Sequence, residues 1–502
     1  MKRSFFTAVI LFLVLLLVLP AFSGCSENGA DGENTTAEAS VTTQTPEVEV
    51  VETSILEGVR FDGKKLGVYC WVDTNVPEYL DADQRSGSIE DAIFSRLMNS
   101  EELLGITTEW KLEKGNGSNK KFIDNVVTAS QSSHDFDVVC CYSVWASAFA
   151  SRGVLLNLND YGRYLNFNHP CWPKMMIDGC TINDKLYFCT GDISNNLIYM
   201  TSLVYFNKDL AANYHLDTTI KEKYGAESLY QLVRSGKWTN EALFTLAGNV
   251  YSDLDNDGKK TENDLYGFGT YNTLVDNFFY GAGLKTIVAG ENGLVVSSDL
   301  SNVDTITDIL ANVNAFLHDS GYAYFFSDHS GTRNSFSNQK TLFSLAPASH
   351  AYGTHSKASG LSYGVLPVPK YKAEQENYYS VHSMPYSMFG ILNGTDDPEA
   401  SAAFLEAMGE FSFELTRPVF FEETMKARYS ETLDDAIMWD MIIDSQTFDL
   451  GRIFSDAFKQ ETVNLFRSQV VGNTASASGI KPKYNMIEKM VTEINKSFGE
   501  LQ

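Results

Sequence analysis

Short apolar runs alternate with amphipathic stretches in the first part of the folded chain. Residues 64–71, 106–112 and 136–141 show the pattern of strands, and residues 88–104 and 121–129 show that of helices. The run 136–141 is apolar almost throughout, as expected for a strand buried on both faces. Strands that alternate with helices pair in parallel, because each helix carries the chain back across the sheet. The sequence therefore predicts an α/β fold with a parallel sheet.

The character of the chain changes beyond residue 200. Apolar runs at 153–158 and 185–192 are further strand candidates, and 203–209 predicts a strand that leads into a helix. Strands are also predicted at 341–346 and at 363–370, and helices at 241–247, 303–318, 399–410, 433–443, 455–467 and 485–498. Roughly 445 residues follow the N-terminal segments, more than one hydrophobic core usually organises. We therefore expect at least two lobes.

The N-terminus has the pattern of an export signal. Lys2 and Arg3 give it a positive start, and residues 5–19 are almost wholly apolar. An apolar run of this length is short for a membrane-spanning helix, which needs roughly 20 residues, and it suits a signal peptide instead. We expect the chain to be exported, and residues 1–25 to be the signal segment.

Small residues directly precede Cys25, as a lipoprotein signal peptidase requires. The segment resembles a lipobox, although Phe22 stands where leucine is usual. We predict that Cys25 is lipidated, with ordinary cleavage near Ala21 as the alternative. Residues 26–55 are rich in Ser, Glu, Thr, Ala and Asn, and such a composition predicts a flexible tether. The folded part would then lie outside the cytoplasm, anchored by lipid to the cell membrane.

The net charge of the chain limits its binding partners, and the positions of three of its cysteines indicate buried thiols. The net charge is −26, which argues against nucleic acid or anionic lipid as a binding partner. Six cysteines remain beyond Cys25. Cys70, Cys140 and Cys189 lie in apolar runs, where a buried thiol is the usual explanation. The one pair that merits a disulfide test is Cys171 with Cys180, and the disulfide state stays open.

The segment 253–264 fits a calcium-binding loop of the EF-hand type. Its candidate ligands are Asp253, Asp255, Asp257, Thr261 and Asp264. Gly258 stands where the sharp turn of such a loop needs glycine. The loop departs from the pattern at Lys260, where an apolar residue is usual, and at Asp264, whose arm is shorter than that of glutamate. We predict a structural Ca²⁺ site, with a metal-free Asx-rich turn as the alternative, and we expect no organic cofactor.

Several runs match one family in order and spacing. They are 204–210 (Val-Tyr-Phe-Asn-Lys-Asp-Leu), 232–239 (Leu-Val-Arg-Ser-Gly-Lys-Trp-Thr), 363–371 (Tyr-Gly-Val-Leu-Pro-Val-Pro-Lys-Tyr) and the stretch 427–450. Together with the lipoprotein-type start, they make the chain resemble an extracellular solute-binding protein of the carbohydrate class, which includes the maltodextrin-binding proteins.

The resemblance implies a two-lobed periplasmic-binding-protein-like fold with hinge strands and a helical C-terminal region. Lobe 1 would begin with residues 56–202, and residues 203–370 would form lobe 2. Residues 371–502 would hold the return crossing, the second part of lobe 1 and the C-terminal helices. A monomer that closes on its ligand between the lobes is expected, and the likeness favours a Gram-positive cell surface.

Sugar-binding proteins stack aromatic rings on sugar faces and direct carboxylates and amides at hydroxyl groups. By the layout of the family, the candidate ligand-binding residues are Tyr142, Trp145, Asp192, Tyr271, Asn272, His350 and Tyr352. The chain has 25 tyrosines, 32 phenylalanines and 6 tryptophans, most of which must be core residues, so burial is the alternative for each aromatic candidate. For Asp192 the alternative is a role in a turn. Trp172, Trp238 and His382 are expected to be structural.

The implied function is capture of a sugar or oligosaccharide and its delivery to the permease subunits of an ABC importer. A receptor that presents sugar to a membrane sensor, or an adhesin, is one alternative. An exported glycoside hydrolase is another, since it would also need a sugar cleft. The sequence has no His-Glu-x-x-His motif and no phosphate-binding glycine loop. We therefore expect a binding protein and no catalytic residues.

Overall fold

The computed structural model describes residues 54–115, 121–428 and 430–500. The predicted signal peptide, Cys25 and residues 26–53 of the predicted tether lie outside these ranges. The strands are β1 (Lys65–Trp71), β2 (Thr107–Glu113), β3 (Val138–Tyr142), β4 (Ser202–Asn207), β5 (Tyr251–Ser252), β6 (Leu265–Tyr271), β7 (Ile287–Gly290), β8 (Gly293–Val296), β9 (Ala323–Phe326), β10 (Thr341–Pro347), β11 (Tyr363–Leu366), β12 (Ser380–Val381), β13 (Ser387–Ile391) and β14 (Gln446–Thr447).

Helices make up most of the remaining regular structure. The α-helices are α1 (Ser88–Leu104), α2 (Lys121–Thr128), α3 (Ala146–Ala150), α4 (Lys174–Cys180), α5 (Lys208–Asn213), α6 (Leu216–Tyr224), α7 (Leu229–Arg234), α8 (Asn240–Ala247), α9 (Asp276–Tyr280), α10 (Val303–Asn314), α11 (His329–Ser337), α12 (Ser349–Gly353), α13 (Pro398–Phe411), α14 (Leu433–Asp444), α15 (Leu450–Ile453), α16 (Glu461–Val471) and α17 (Ala477–Glu500). Wider π-helical turns follow at Ala129–Ser133, Ala315–Asp319, Ser412–Thr416 and Pro418–Arg428. Short 3₁₀ turns lie at Ala82–Gln84, Ser143–Trp145, Leu158–Tyr161, Ile198–Met200, Ser298–Ser301 and His355–Lys357.

The first sheet has four strands in the order β13-β3-β1-β2. Strand β1 pairs in parallel with both β2 and β3, and β13 joins β3 in antiparallel. Val68 in the central strand and Val138 beside it are fully buried, and α1 and α13 pack against each other next to this sheet. The predicted parallel sheet is therefore present.

The second sheet contains the order β11-β4-β10-β6-β5, with β9 paired to β6. Strand β6 runs parallel to β9 and β10, whereas β4 runs antiparallel to β10. Asn207 ends β4 and accepts a hydrogen bond from the Leu210 backbone N–H at 2.9 Å, which begins α5. Trp238 is fully buried and donates to the Pro367 carbonyl at 2.9 Å. These contacts explain why the runs at 204–210, 232–239 and 363–371 occur together.

Three chain segments lie side by side between the two sheets. Thr201 pairs with His382, and β12 pairs in parallel with β14. Gln446 donates to the Thr201 hydroxyl at 2.9 Å, which joins the first segment to the third. Hinge strands are thus present.

The C-terminal region is helical, as predicted, and its helices are divided between the two sheets. Helix α13 packs on α1 beside the first sheet, whereas α14 contacts β11 of the second. Helices α16 and α17 both pack on α10, and α17 also contacts β8. Among the described helices, none is long and apolar enough to cross a membrane.

All six cysteines in the described part of the chain are buried and carry free thiols. Cys171 and Cys180, the pair singled out for a disulfide, are among them. Burial raises the pKa of the Cys171 thiol well above its usual value. The Cys171 thiol is therefore protonated, and the buried cysteines act as small apolar core groups.

Candidate functional site

The loops that follow the parallel strands of both sheets meet next to the hinge. Ser387, which follows the hinge segment of β12, pairs with Tyr142 at the end of β3. Ser202, directly after the hinge residue Thr201, pairs with Pro347 at the end of β10. Ligands of open α/β sheets bind beyond the carboxyl ends of the strands, so this edge is the candidate site.

A cavity of about 420 Å³ lies at this edge. Tyr142 and Trp145 line it from the first sheet, Thr273 from the loop after β6, and Ser383 from the hinge. The C-terminal region contributes Arg452, Ser455, Asp456, Gln460 and Arg467. The volume is within the range of small-molecule sites, roughly 300–1,000 Å³.

Aromatic rings form one wall of the cavity. Tyr142 stacks on Trp71 with ring centroids 5.1 Å apart, and the edge of Trp145 meets Tyr142 at 5.5 Å. Trp145 itself stacks on Phe122 at 5.4 Å and is 1% exposed, so it mainly supports the wall. Tyr142 is half-buried and is the ring that remains accessible. Burial raises the pKa of the Tyr142 hydroxyl, which stays protonated as a hydrogen-bond donor.

Two guanidinium groups also line the cavity. Arg452 and Arg467 both contact the Asp276 carboxylate, each with an N–O distance of 2.5 Å. Arg452 also donates to the His382 carbonyl at 3.0 Å, which ties the network to the hinge. The Asp276 side chain is 2% exposed, so the ion network is shielded from solvent and its geometry is restrained.

Tyr271 and Asn272 lie beside the cavity. They immediately precede Thr273, which lines it, and the Tyr271 ring is 6.3 Å from the His329 ring. Asn272 is exposed to solvent. The structure therefore brings Tyr142, Trp145 and the loop that carries Tyr271 and Asn272 to one place.

The other three candidates lie elsewhere. Asp192 forms an ion pair with Arg417 at 3.2 Å, and burial raises the pKa of its carboxyl group to about 6. His350 is buried against the His355 ring at 5.5 Å, and Tyr352 lies 5.2 Å from the Tyr199 ring. None of the three is among the described residues that line the 420 Å³ cavity.

Sequence reasoning missed the residues that the C-terminal helices contribute. Arg467 belongs to a segment predicted only as a helix, whereas Arg452 lies outside the predicted elements; Gln460 lies at the start of α16. Their position at the cavity depends on how α16 packs against α9 and α10. The local sequence carries no signal for that packing.

The Asp-rich loop has part of the predicted geometry. The carboxylates of Asp253, Asp255 and Asp257 have ligand atoms within 4.8 Å of one another. Asp253 accepts from the Gly258 N–H at 2.9 Å, and its second oxygen is buried without a hydrogen-bond partner in the described chain. Gly258 has a φ of +73°, which favours glycine. These three carboxylates fit a hard cation.

The last two predicted ligands of that loop have other partners. Asp264 accepts hydrogen bonds from the backbone N–H groups of Thr261 at 2.9 Å and Leu254 at 3.2 Å. These bonds lower the pKa of its carboxyl group. The Thr261 hydroxyl accepts from the Asn263 N–H at 3.2 Å. Asp264 therefore holds the loop closed. In the described chain, the predicted ligands whose carboxylates lie close together are Asp253, Asp255 and Asp257.

Residues 360–364 match the Gly-x-Ser-x-Gly motif that carries the nucleophilic serine of some hydrolases. In hydrolases with this motif the serine lies on a sharp turn from a strand into a helix. Here Ser362 precedes strand β11, and its hydroxyl donates to Glu431 at 2.9 Å. The structural context of a nucleophile is therefore missing at Ser362.

Comparison with known proteins identifies the fold. No protein-family profile and no curated protein sequence matches the chain. Among solved structures, a cyclo/maltodextrin-binding protein complexed with maltotetraose superposes with a TM-score of 0.54 at 12% identity, over 86% of this chain and 98% of that one.

Two further structures give the same result. The GacH receptor of Streptomyces glaucescens, solved unliganded and with acarbose, has a TM-score of 0.53 at 17% identity, over 86% of this chain and 99% of that one. An ABC substrate-binding protein of Listeria monocytogenes, solved with cycloalternan, has a TM-score of 0.52 at 12% identity, over 87% of this chain and all of that one. The chain therefore has the two-lobed fold of ABC-transporter substrate-binding proteins, which these three solved proteins share. The predicted resemblance is confirmed at the level of the fold.

Proposed function

We propose that this protein captures a carbohydrate in the interlobe cavity and delivers it to an ABC importer. The observation that carries the proposal is the composition of the cavity: an accessible tyrosine ring lines it together with guanidinium, hydroxyl and amide groups, and Asp276 holds the guanidinium groups in place. Aromatic faces bind the C–H faces of sugars, and polar groups held in place bind the hydroxyls. The neighbours determined with maltotetraose, acarbose and cycloalternan support this ligand class.

We infer that the protein binds its ligand without chemical change. Hydrolysis of a glycosidic bond requires a pair of carboxyl groups roughly 5–9.5 Å apart across the bond. Among the described residues that line the cavity, Asp456 is the one carboxylate. This composition supports a binding protein over the hydrolase alternative, and incubation with oligosaccharides followed by product analysis tests it.

The cellular setting is part of the same proposal. The apolar N-terminal run and Cys25 support export and lipid anchoring to the cell membrane, with residues 26–55 as the tether. The partners would be ABC permease subunits, and the binding protein would act as a monomer at a Gram-positive-type surface. Replacement of Cys25 by alanine is the test of anchoring, because it should release the protein from the membrane fraction.

A ligand screen tests the carbohydrate proposal. The purified protein is heated with a panel of monosaccharides and oligosaccharides, and the one that binds should raise the melting temperature by mass action. Tyr142→Ala should weaken binding of that sugar at least about tenfold, or about 1.4 kcal/mol, because it removes the accessible ring. Titration calorimetry measures the loss.

Tyr142→Phe is the matched control for that variant. It keeps the ring and removes only the hydroxyl, so its affinity should stay close to that of the unmodified protein. Equal affinity in the alanine and phenylalanine variants would remove Tyr142 from the site. A panel in which no sugar raises the melting temperature would contradict the carbohydrate proposal itself.

We further propose that Ca²⁺ binds the cluster of Asp253, Asp255 and Asp257. Millimolar Ca²⁺ should raise the melting temperature, because an ion bound only by the folded state stabilises that state. Asp255→Asn should reduce the shift, since this substitution removes one of three converging charges. Asp299→Asn is a control for loss of an acidic group outside the loop. A calcium shift that is unchanged in Asp255→Asn would exclude this site.

A further inference from the structure

Arginine, histidine and serine side chains form a group at the end of the second sheet that borders the candidate site. His329, Arg333 and Ser337 are spaced four apart on α11 and so lie on one face of that helix. This face meets the residues after β10, because the Ser337 hydroxyl is 2.9 Å from His355 Nδ1. The His329 ring also contacts Tyr271. The group therefore adjoins the loop 271–273, and Thr273 of that loop lines the cavity.

Arg333 has no counter-ion in the part of the chain that the structure describes. Its guanidinium has no carboxylate oxygen within 4.0 Å, and its Nε is buried without a hydrogen-bond acceptor. Asp328 is the nearby acid, but its oxygen caps α11 by accepting from the backbone N–H groups of Ser330 at 2.8 Å and Gly331 at 2.9 Å. The chain has 64 acidic and 38 basic residues, so carboxylates are abundant and an arginine without a carboxylate partner is unusual in it.

Two buried histidines that interact electrostatically with Arg333 each have one ring nitrogen without a hydrogen-bond partner in the described chain. His350 is 5% exposed and His355 is 1% exposed. His350 Nδ1 and His355 Nε2 are buried and have no hydrogen-bond partner within the described ranges. Burial lowers the pKa of His350, and it lowers that of His355 to about 3, with Arg333 acting in the same direction on both. Both rings are therefore neutral and cannot balance the charge of Arg333.

Such a group is costly unless something pairs with it. A buried donor without an acceptor lowers stability, and more so when the donor is charged. An oxyanion would supply the missing acceptors, because a guanidinium binds carboxylate, sulfate or phosphate oxygens through two parallel hydrogen bonds.

We propose that the ligand of this protein carries an anionic group, which Arg333 binds at this wall of the cleft. The inference rests on the proposed function and specifies its substrate class: an acidic saccharide, whose charge is either a uronic carboxylate or a sulfate or phosphate ester. Arg333 thus acts as the specificity-determining residue, and the cavity with Tyr142 holds the neutral part of the sugar.

Matched ligands test the proposal with the full chain. Titration calorimetry compares a neutral oligosaccharide with its uronic-acid, sulfated and phosphorylated counterparts. One acidic form should bind at least about tenfold more tightly than the neutral form, and the best of them identifies the source of the charge. Arg333→Gln should abolish that preference. Arg234→Gln is the control, because Arg234 is 40% exposed and pairs with Asp434 on the surface.

A second variant covers the case in which Arg333→Gln does not fold. Arg333→Lys keeps the charge but loses the planar fork, so it should retain part of the preference for the acidic ligand. A preference that is the same in Arg333→Lys, Arg333→Gln and the unmodified chain would overturn the assignment.

The outcomes separate this inference from the proposed function. A neutral sugar that binds as tightly as every acidic form would overturn the anionic group and leave carbohydrate binding intact. Inorganic sulfate or glucuronate that stabilises the protein only when Arg333 is present would support the anion site. That result would hold even if no oligosaccharide in the panel bound, in which case the carbohydrate proposal alone would fail.

Discussion

Replacement of Glu78 by glutamine is expected to lower the free energy of unfolding by about 3–5 kcal/mol. The side chains of Glu78 and Arg96 are both fully buried, with an N–O distance of 3.6 Å. Arg96 also donates to the Ile193 carbonyl at 2.8 Å and to the Glu78 carbonyl at 2.9 Å. The variant would leave the guanidinium of Arg96 as a buried charge without a counter-ion, which is the costly result of breaking such a pair.

The same carboxylate holds the segment that leads into the hinge. It accepts hydrogen bonds from the Asn195 backbone N–H at 2.9 Å and the Asn196 amide at 2.9 Å. Asn196 in turn accepts from the backbone N–H of Val76 at 3.1 Å. Loss of these bonds should loosen the chain between residues 193 and 200, so ligand affinity should fall together with stability.

Urea unfolding followed by circular dichroism measures the change in stability. Arg60→Gln is the control for loss of an ion pair, because Arg60 and Asp62 are 52% and 70% exposed and such surface pairs contribute little to stability. The double variant Glu78→Gln with Arg96→Met should recover part of the loss, since no charge is then left buried. A Glu78→Gln protein as stable as the Arg60→Gln protein would refute the prediction.

The second large effect is expected at Asp276. Asp276→Asn should lower the free energy of unfolding by about 3–5 kcal/mol, because it leaves two guanidinium groups without their shared carboxylate. Arg452 and Arg467 are 7% and 17% exposed, so water replaces that interaction only in part. Ligand binding should weaken as well, since both arginines line the cavity and would lose the contact that orients them.

Asp434→Asn is the control for this variant. It removes the partner of Arg234, with both side chains about two-fifths exposed, and should change stability by no more than about 1 kcal/mol. Thermal unfolding with and without the ligand separates the two expected effects of Asp276→Asn. A variant with unchanged stability and unchanged ligand shift would show that the arginines do not depend on Asp276.

The sequence predicted the regular elements with a strong local period well. The helix predicted at 88–104 is α1 (Ser88–Leu104), and the strand predicted at 106–112 is β2 (Thr107–Glu113). The apolar runs 153–158 and 185–192 are different: they contain isolated pairings such as Cys189 with Phe389 and no extended strand. An apolar run indicates burial, and burial alone does not distinguish a strand from a buried irregular segment.

The candidate site was predicted in part. Tyr142 and Trp145 follow a strand whose parallel pairing could be inferred, and the carboxyl ends of parallel strands are where ligands bind. Asp192 satisfied the same local rule, yet it pairs with Arg417, which lies 225 residues away in the chain. A turn residue and a ligand-binding residue have the same local pattern, and only the distant partner decides between them.

Strongly periodic elements, the need for more than one core and the loop at 253–264 could be predicted from the sequence alone, because these depend on periodicity, composition and short-range turn chemistry. The tertiary structure alone decided which residues meet at the cavity. Asp276 and Arg467, 191 residues apart, come together through helix packing, and no local pattern encodes that contact. The polar half of the site is therefore a product of packing, whereas its aromatic half follows from the strand that precedes it.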